Sequence, residues 1–280
     1  MPDPFSDLQK ITSIPITFFT YLASIEKYSL VLRALIWKDF LLRFRHRWFN
    51  SFSVFLQPMI TVVIICFAFE GFVSPIFHQR DYPVCVYLGV LVWQFISRSI
   101  NLAGTALRSN KNVLTRTYFP RILIPCAAIF GGLTDFFVGF PGLLLCIWFF
   151  KVPVSIFSLI GLIPFIGLMV VVGFGTSFWL SILDYKYDDI SYMMPFLTQF
   201  LFIASPITYI PSGFSRAVSF VYSLNPIVAV LGGMRHSLVG KPAPTAISFS
   251  VSIFSAFALL IGGAWMFCIN EPKIADTGDT

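Results

Sequence analysis

Long apolar runs, separated by short polar or basic segments, account for most of the chain. A helix needs about 20 predominantly apolar residues to cross the hydrocarbon core of a bilayer, and six runs are long enough. We therefore predict an all-α polytopic membrane protein with six transmembrane helices. Their predicted bounds are 51–70, 83–107, 122–150, 154–183, 191–210 and 246–269. The third run exceeds a minimal span, so tilt, a break near Pro141 or an interfacial extension must absorb the surplus.

An amphipathic segment precedes the first run. In residues 28–50, "YSLVLRALIWKDFLLRFRHRWFN", apolar side chains alternate with arginine and lysine. This pattern predicts a helix that lies in the membrane interface with its basic side toward lipid headgroups. A basic anchor that only fixes topology is the alternative. Residues 1–27 are interpreted as a tail, because their apolar patch at 14–25 is short and lacks the small-residue cleavage pattern of a secretory signal peptide.

The segment between the fifth and sixth runs is semi-apolar and rich in proline and glycine. It covers residues 205–244 and is too hydrophobic for a solvated loop but too broken for a clean span. Irregular backbone at membrane depth is tolerated only when it is buried in protein or lines a water-filled cavity. We predict two short re-entrant or interfacial helices, around 213–222 and 226–238. A seventh span, which would separate the two termini, fits the charge distribution less well.

Composition and charge support the membrane interpretation and set an orientation. The chain is 57% hydrophobic and 11% charged, with a mean hydropathy of +0.82, whereas soluble domains carry about 25% charged residues. Six spans place both termini on one side, and that side receives 13 of the 19 lysines and arginines, against five on the other. The positive-inside rule therefore predicts cytoplasmic termini, with tails at 1–27 and 271–280, and a cytoplasmic segment at 108–121. In such a chain the net charge of +6 does not indicate nucleic-acid binding.

Polar side chains form stripes on three of the predicted spans. Such residues are costly in a membrane and usually face the bundle interior, so together they could line a route for a polar solute. The candidate channel-lining residues are Ser53, Gln57 and Thr61 in the first span, Tyr87, Gln94, Arg98 and Asn101 in the second, and Tyr192, Phe196, Gln199 and Phe200 in the fifth. Aromatic rings beside polar groups would suit a sugar, although they also occur in ordinary membrane packing.

Structural roles are the alternative for these residues. Hydrogen bonds between transmembrane helices contribute about 1 kcal/mol each and explain any single serine or threonine better than a transport role does. For Arg98 and Asp135, the one acid well inside a span, a structural ion pair and a place on the route both remain open. Gly173, Ser177 and Ser181 form a small-residue face that we interpret as close helix packing.

No pattern in the sequence predicts catalysis, a metal site or a bound cofactor. The phosphate-binding loop G-x-x-x-x-G-K-[ST] and the zinc motif H-E-x-x-H are missing, and the three histidines fall in separate segments. The five cysteines lie in apolar runs without C-x-x-C spacing, so we interpret them as buried hydrophobic residues. Asp184, Asp188 and Asp189 are interpreted as a solvated cytoplasmic turn. Transport would therefore draw its energy from a partner or an ion gradient.

Four ordered motifs give the chain a family resemblance. Residues 28–276 resemble the membrane permease of ATP-binding-cassette exporters for polysaccharides and polyol phosphates, which move O-antigen, capsule or teichoic acid. The motifs are "LIWKDFLLRFRHRW" from Leu35, "NKNVLTRTYFPRILIP" from Asn110, "DYKYDDISYMMPFLTQFLFIASPITY" from Asp184 and "LNPIVAVLGGMRHSLVG" from Leu224. The tail "NEPKIAD" is also similar to the short cytoplasmic ending of that family.

The resemblance implies a half-transporter of the bacterial inner membrane. It would form a homodimer and recruit two copies of a separate ATPase subunit that binds ATP and magnesium. A lipid-linked glycan, most plausibly of the O-antigen type, would enter from the inner leaflet and pass through a channel at the dimer interface. A permease for a drug or small lipophile, a membrane-embedded lipid-linked sugar transferase and a passive scaffold are the alternatives.

Three groups of residues take roles from this resemblance. Coupling to the ATPase is implied for the segment 108–121, with Asn110, Asn112, Arg116, Tyr118, Phe119 and Arg121. The substrate entrance is implied for Trp37, Arg43, Arg45 and Arg47. An outer gate is implied for the region 205–244, with Tyr209, Phe214, Tyr222, Asn225 and Pro226.

Overall fold

Helices account for all the regular secondary structure in the part of the chain that the computed structural model describes. That part comprises residues 28–44, 48–70, 81–110, 119–187, 189–209 and 216–276. The helices are α1 (Ser29–Phe44), α2 (Trp48–Glu70), α3 (Tyr82–Arg98), α4 (Ala106–Ser109), α5 (Leu123–Phe149), α6 (Ile156–Ile160), α7 (Ile163–Lys186), α8 (Ile190–Ala204), α9 (Arg216–Ser223), α10 (Ile227–Val239) and α11 (Ala246–Asp276). The predicted all-α class is confirmed.

Within the described residues, four helical stretches are long and apolar enough to cross a membrane. They are Tyr82–Ala103, Leu123–Phe149, Ile156–Lys186 and Ala246–Glu271. The helices α9 and α10 meet at 95° and pass the same test together, which raises the count to five if the bent pair is one span. At the predicted first and fifth spans, the described apolar helices Phe55–Phe67 and Ile190–Ala204 are shorter. By length and composition the structure therefore supports the second, third, fourth and sixth predicted spans, whereas the first and fifth are not confirmed.

The structure refines several predicted boundaries. The amphipathic segment 28–50 contains α1, which ends at Phe44, and the start of α2 at Trp48, and residues 45–47 between them lie outside the described part of the chain. The second run, predicted to be helical over 83–107, changes to a π-helical turn at Ser99–Ala103 before the short helix α4. Of the three ways of accommodating the long third run, a break near Pro141 does not occur, since α5 continues through this proline.

The π-helical turn shows how the bundle satisfies backbone groups that an irregular helix exposes. Such turns displace carbonyl groups from the regular hydrogen-bonding pattern and are frequent at functional sites. Here the hydroxyl of Ser181 donates to the carbonyl oxygen of Ala103 at 2.6 Å, and Asn101 Nδ2 donates to the carbonyl oxygen of Ser97 at 2.8 Å. The turn is therefore held by α7 as well as by its own side chains.

The main buried cluster surrounds α3, whose side chains from Val84 to Val92 are almost wholly inaccessible. It packs against α2, α5, α7 and α10. The predicted small-residue face of α7 is confirmed, because Ser177 and Ser181 are fully buried and a Cβ atom on Gly173 would lie 2.7 Å from the ring of Phe95. A second buried cluster joins the segment around Phe119 to α7 and α11.

The two short helices α9 and α10 occupy the proline- and glycine-rich region where two short helices are predicted. Asn225 initiates α10, since its side-chain oxygen accepts a hydrogen bond of 3.0 Å from the backbone N–H of Ile227. At the other end Gly240 has a left-handed backbone, with φ of 67°, which lets the chain leave the helix without a Cβ clash.

Candidate functional site

The helix α8 exposes a broad aromatic and polar face. Tyr192 is 84% exposed, and Phe196, Gln199 and Phe200 also lie on the surface of the protomer. The opposite face of α8 is narrow, and it contacts the π-helical turn through Asn101 Nδ2, which donates to the hydroxyl of Thr198 at 3.0 Å. All four predicted channel-lining residues of α8 therefore lie where a second protein surface or water can reach them.

The polar residues of the second run have different environments. The guanidinium of Arg98 forms an ion pair with the carboxylate of Asp135, and the two side chains are 32% and 9% exposed. Gln94 and Asn101 are half-buried. Tyr87 is fully buried, and its hydroxyl donates to the carbonyl oxygen of Gly139 at 3.0 Å. This is the position of a core residue, so we leave Tyr87 out of the channel surface proposed below.

The first predicted span contributes an exposed polar residue. Gln57 lies on the surface of α2. The hydroxyl of Thr61, one turn later, donates to the backbone carbonyl oxygen of Gln57 at 2.8 Å. Thr61 is half-buried. The side chain of Ser53 lies outside the described residues.

An ion pair joins the start of the predicted coupling segment to the end of α7. Arg108 Nε lies 3.3 Å from Asp184 Oδ2, and Arg108 Nη2 also donates to the carbonyl oxygen of Asp184. Asp184 is 1% exposed, so the interpretation of this residue as part of a solvated turn is wrong. Asp189 is exposed, as that interpretation requires, and Asp188 lies outside the described residues.

The same segment contacts α1 and α11. Lys38 Nζ of α1 donates to Asn110 Oδ1 at 3.1 Å. The backbone N–H of Arg121 donates to Glu271 Oε1 of α11 at 2.9 Å. Phe119 is buried among residues of α7 and α11, so it anchors the segment and does not present a docking surface. The other predicted docking residues Asn112, Arg116 and Tyr118 lie outside the described residues.

The predicted entrance residues are described only in part. Trp37 is exposed on α1, and its ring stacks on Phe40 with 5.6 Å between centroids and 16° between planes. The side chain of Arg43 and both Arg45 and Arg47 lie outside the described residues. The exposed indole suits an interfacial position, since tryptophan is enriched where membrane meets water.

Three of the five predicted gate residues, Tyr209, Tyr222 and Asn225, lie in one hydrogen-bonded network. The hydroxyl of Tyr222 donates to that of Tyr209 at 3.0 Å, and Asn225 Nδ2 donates to the hydroxyl of Ser205 at 2.9 Å. Pro226 immediately precedes α10. The network connects the end of α8 to the bend between α9 and α10. Phe214 lies outside the described residues.

Arg235 is a residue that the sequence analysis did not single out. It lies in α10, is 4% exposed, and its Nη2 atom donates to the carbonyl oxygens of Ile207 at 2.6 Å and Cys85 at 3.4 Å. Its Nη1 atom donates to the carbonyl oxygen of Tyr209 at 3.1 Å. Its position in a semi-apolar helix could have identified it from the sequence, because ionisable groups at membrane depth usually have a functional or pairing role.

The described surface offers no constellation for catalysis. A cleft of about 600 Å³ between α2, α3 and the end of α5 is lined by apolar side chains such as Met59, Val62 and Trp148. Within the described ranges no three histidine, cysteine or acidic residues lie close enough together to hold a metal ion. A sugar transferase would need acids and bases gathered at one interface, whereas Asp184 is buried in a single ion pair with the exposed Arg108.

Comparison with known proteins gives the family. A model of the ABC-2 type transporter family matches residues 31–239. The O-antigen export system permease protein RfbA of Myxococcus xanthus is 21% identical over 256 residues, which cover 90% of this chain and 96% of the relative. A protein of the same name from Klebsiella pneumoniae is 22% identical over 200 residues, covering 71% of this chain and 76% of the relative. Because the family match extends over most of the sequence and all four motifs, the chain belongs to the ABC-2 type transporter family.

Proposed function

We propose that this chain is the membrane permease of an ATP-driven exporter that moves a lipid-linked polysaccharide, of the O-antigen type, to the periplasmic side of a bacterial inner membrane. The observation that carries the proposal is the similarity to an O-antigen export permease along 96% of that relative's length. The exposed face of α8 supports it, because Tyr192 and Gln199 offer hydrogen-bonding groups beside the rings of Phe196 and Phe200.

The proposed topology has six spans with both termini in the cytoplasm. At 1.5 Å per residue, α2 is about 35 Å long and can cross the membrane. The 15-residue helix α8 is about 22 Å long, so residues 205–209 complete the fifth span as non-helical backbone. The pair of α9 and α10, with its bend of 95°, then lies on the outer side, where both helices contact α11 and α10 also contacts α3.

The proposed channel lies between two copies of the chain. Arg98 keeps about a third of its side chain exposed, and a charged group within a span is costly against hydrocarbon. The exposed side of Arg98 must therefore face water or protein. The polar side chain of Gln199 on α8 must do so for the same reason. The proposed channel-lining residues are Ser53, Gln57, Thr61, Gln94, Arg98, Asn101, Tyr192, Phe196, Gln199 and Phe200.

ATP hydrolysis belongs to a partner in this proposal. Permeases of this family work with an ABC ATPase subunit, and two copies of it would dock on the segments 108–121 of a homodimer. Asn112, Arg116 and Tyr118 are the proposed docking residues, with Phe119 anchoring the segment from inside. ATP and magnesium would bind to that subunit, and the basic residues Arg43, Arg45 and Arg47 would frame the entrance for the anionic lipid carrier.

Reconstitution tests the proposal. The permease, its ATPase and lipid-linked glycan are placed in vesicles, and the glycan that becomes accessible on the opposite side is measured with and without ATP. We expect ATP-dependent transfer of the glycan and none of a hydrophobic dye. Transfer of the dye but not of the glycan would contradict the proposed substrate class, and transfer without the ATPase would contradict the proposed energy source.

A further inference from the structure

We infer that the coupling segment 108–121 acts on α7 and α11, which move as one unit, through a side-chain contact at each of its ends. The contacts are Arg108 with Asp184 at the start and Arg121 with Glu271 at the end. This inference rests on the proposed function, since it assumes that an ATPase drives the segment. The inference identifies the helices that receive the motion. The segment connects α3 to α5, so its position in the chain does not indicate α7 or α11.

The contact at the start is difficult to break. Asp184 lies in the last turn of α7, is almost completely buried and has one carboxylate oxygen, Oδ1, without a hydrogen-bond partner among the described atoms. A buried carboxylate is strongly unfavourable unless a cation stays beside it. Arg108 supplies that cation and holds the backbone of Asp184 as well. A displacement of Arg108 therefore carries the end of α7 with it.

The contact at the end combines a hydrogen bond with apolar packing. Glu271 Oε1, near the end of α11, accepts the backbone N–H of Arg121 at 2.9 Å. Two residues earlier, Phe119 belongs to the same buried cluster as Phe178 of α7 and Phe267 of α11, whose rings lie 6.0 Å apart. The end of the segment is therefore held by α7 as well as by α11.

The helices α7 and α11 are packed closely enough to move together. A Cβ atom on Gly175 would lie 2.9 Å from the backbone nitrogen of Leu260, and one on Gly263 would lie 3.0 Å from the carbonyl oxygen of Gly175. The indole N–H of Trp179 donates to the carbonyl oxygen of Leu259 at 3.1 Å. Contact of small residues brings the two backbones together and leaves no space for one helix to slide along the other.

The helix α8 is held differently. Its buried side consists of Met194 and Thr198, which face the π-helical turn. The side-chain contacts that tie Arg108 and Arg121 to the later spans lie on α7 and α11, whereas α8 contacts the π-helical turn and α7. A stroke of the ATPase would therefore move α7 and α11 relative to the exposed face of α8, and this changes the width of the route that α8 lines.

Distance measurements between spin labels test the inference without using the glycan. In a background whose five native cysteines are replaced by alanine, one protomer carries Gly167→Cys in α7 with either Phe257→Cys in α11 or Gln199→Cys in α8. All three positions are exposed. In the complex with the ATPase, we expect ATP to change the α7–α8 distance and to leave the α7–α11 distance unchanged. A change in the α7–α11 distance, or no change in either, would overturn the inference.

Two substitutions then test whether the end contacts transmit the motion. Asp184→Asn and Glu271→Ala should abolish the ATP-dependent change in the α7–α8 distance and lower glycan export per ATP hydrolysed by about tenfold, a typical coupling factor. Arg108→Lys, which keeps the cation, should retain most of the distance change and most of the glycan export per ATP hydrolysed. Asp81→Asn is the matched control, because it removes an ion pair of 2.8 Å with Lys241 at the opposite end of α3.

The outcomes separate the inference from the proposed function. If Asp184→Asn and Glu271→Ala behave like Asp81→Asn in both measurements, the inference is wrong even when the unsubstituted complex exports glycan. If the unsubstituted complex exports no glycan but the spin-label distances change as expected, the substrate assignment is wrong and the inference stands. Thermal unfolding of each variant in detergent identifies any variant that fails to fold, and Arg108→Lys then provides the comparison.

Discussion

Arg235 Nη2 donates a hydrogen bond of 2.6 Å to the carbonyl oxygen of Ile207, which joins the helix α10 to the irregular backbone that follows α8. The same guanidinium also reaches Cys85 in α3 and Tyr209. One buried cation therefore satisfies carbonyl groups from two separate parts of the chain. Irregular backbone at membrane depth needs such donors, because no water is available to replace them.

Replacement of this cation should destabilise the protein. Arg235→Ala removes the donors to two buried carbonyl groups and a half-buried one, and unsatisfied groups of this kind together cost about 3 kcal/mol or more. We expect a clearly lower thermal unfolding temperature in detergent. Arg33→Ala, at an exposed position of α1, is the control and should unfold like the unsubstituted protein. Equal unfolding temperatures for the two variants would contradict the role of Arg235.

The ion pair of Arg98 and Asp135 allows its two possible roles to be separated. Asp135→Asn removes the charge that neutralises Arg98 and should destabilise the protein by about 3–5 kcal/mol. The double replacement Arg98→Met and Asp135→Leu removes both charges and should restore most of that stability.

Glycan export by the stable double variant shows whether the ion pair only stabilises the protein or also lies on the transport route. Because Arg98 is partly exposed, we expect export to fall by about tenfold, which corresponds to 1.4 kcal/mol. The measurement is the initial export rate in vesicles at equal permease content. Normal export by the double variant would assign the pair to structure alone.

The exposed face of α8 predicts contact between copies of the chain. With the native cysteines replaced by alanine, Tyr192→Cys should form a disulfide-linked dimer on mild oxidation in membranes. Phe254→Cys is the matched control, because Phe254 is also largely exposed but lies on α11. Electrophoresis without reductant measures the dimer fraction. Equal cross-linking at both positions would indicate random collision and contradict the proposed interface.

The coupling segment predicts different effects for two neighbouring aromatic residues. Phe119→Ala should destabilise the protein by about 3–5 kcal/mol, as expected when a buried phenylalanine is removed. Tyr118→Ala should leave stability unchanged and reduce binding of the ATPase. Unfolding temperature and co-purification of the ATPase are the two measurements. A stable Phe119→Ala variant that loses the ATPase would show that Phe119 is a docking residue after all.

The close approach of α7 and α11 predicts that one glycine tolerates no side chain. Gly175→Ala places a methyl group 2.9 Å from backbone atoms of α11, and overpacking of this kind costs about 1–3 kcal/mol. Gly167→Ala in the same helix is the control. A Cβ atom on Gly167 would have no atom within 4 Å apart from its chain neighbours and the backbone of its own helix. We expect a lower unfolding temperature for Gly175→Ala alone, and equal temperatures would contradict the tight packing.

Much of the candidate site could be located from the sequence, but the environments of its residues could not. The polar stripe of α8 lies on an exposed face, as the spacing of Tyr192 and Phe196 indicates. Tyr87 follows the same kind of spacing and is wholly buried. Periodicity identifies residues that share a helix face, but the identity of the element covering that face depends on the rest of the bundle.

The sequence by itself determined the all-helical membrane class, the position of the basic segment 108–121 and the family, because hydropathy and ordered motifs are properties of contiguous residues. Only the tertiary structure decided which charges are buried and what they contact. Arg108 and Asp184 are 76 residues apart, and Arg235 and Cys85 are 150 residues apart. A charge is stable inside a membrane protein only beside a suitable partner, and helix packing alone brings such distant partners together.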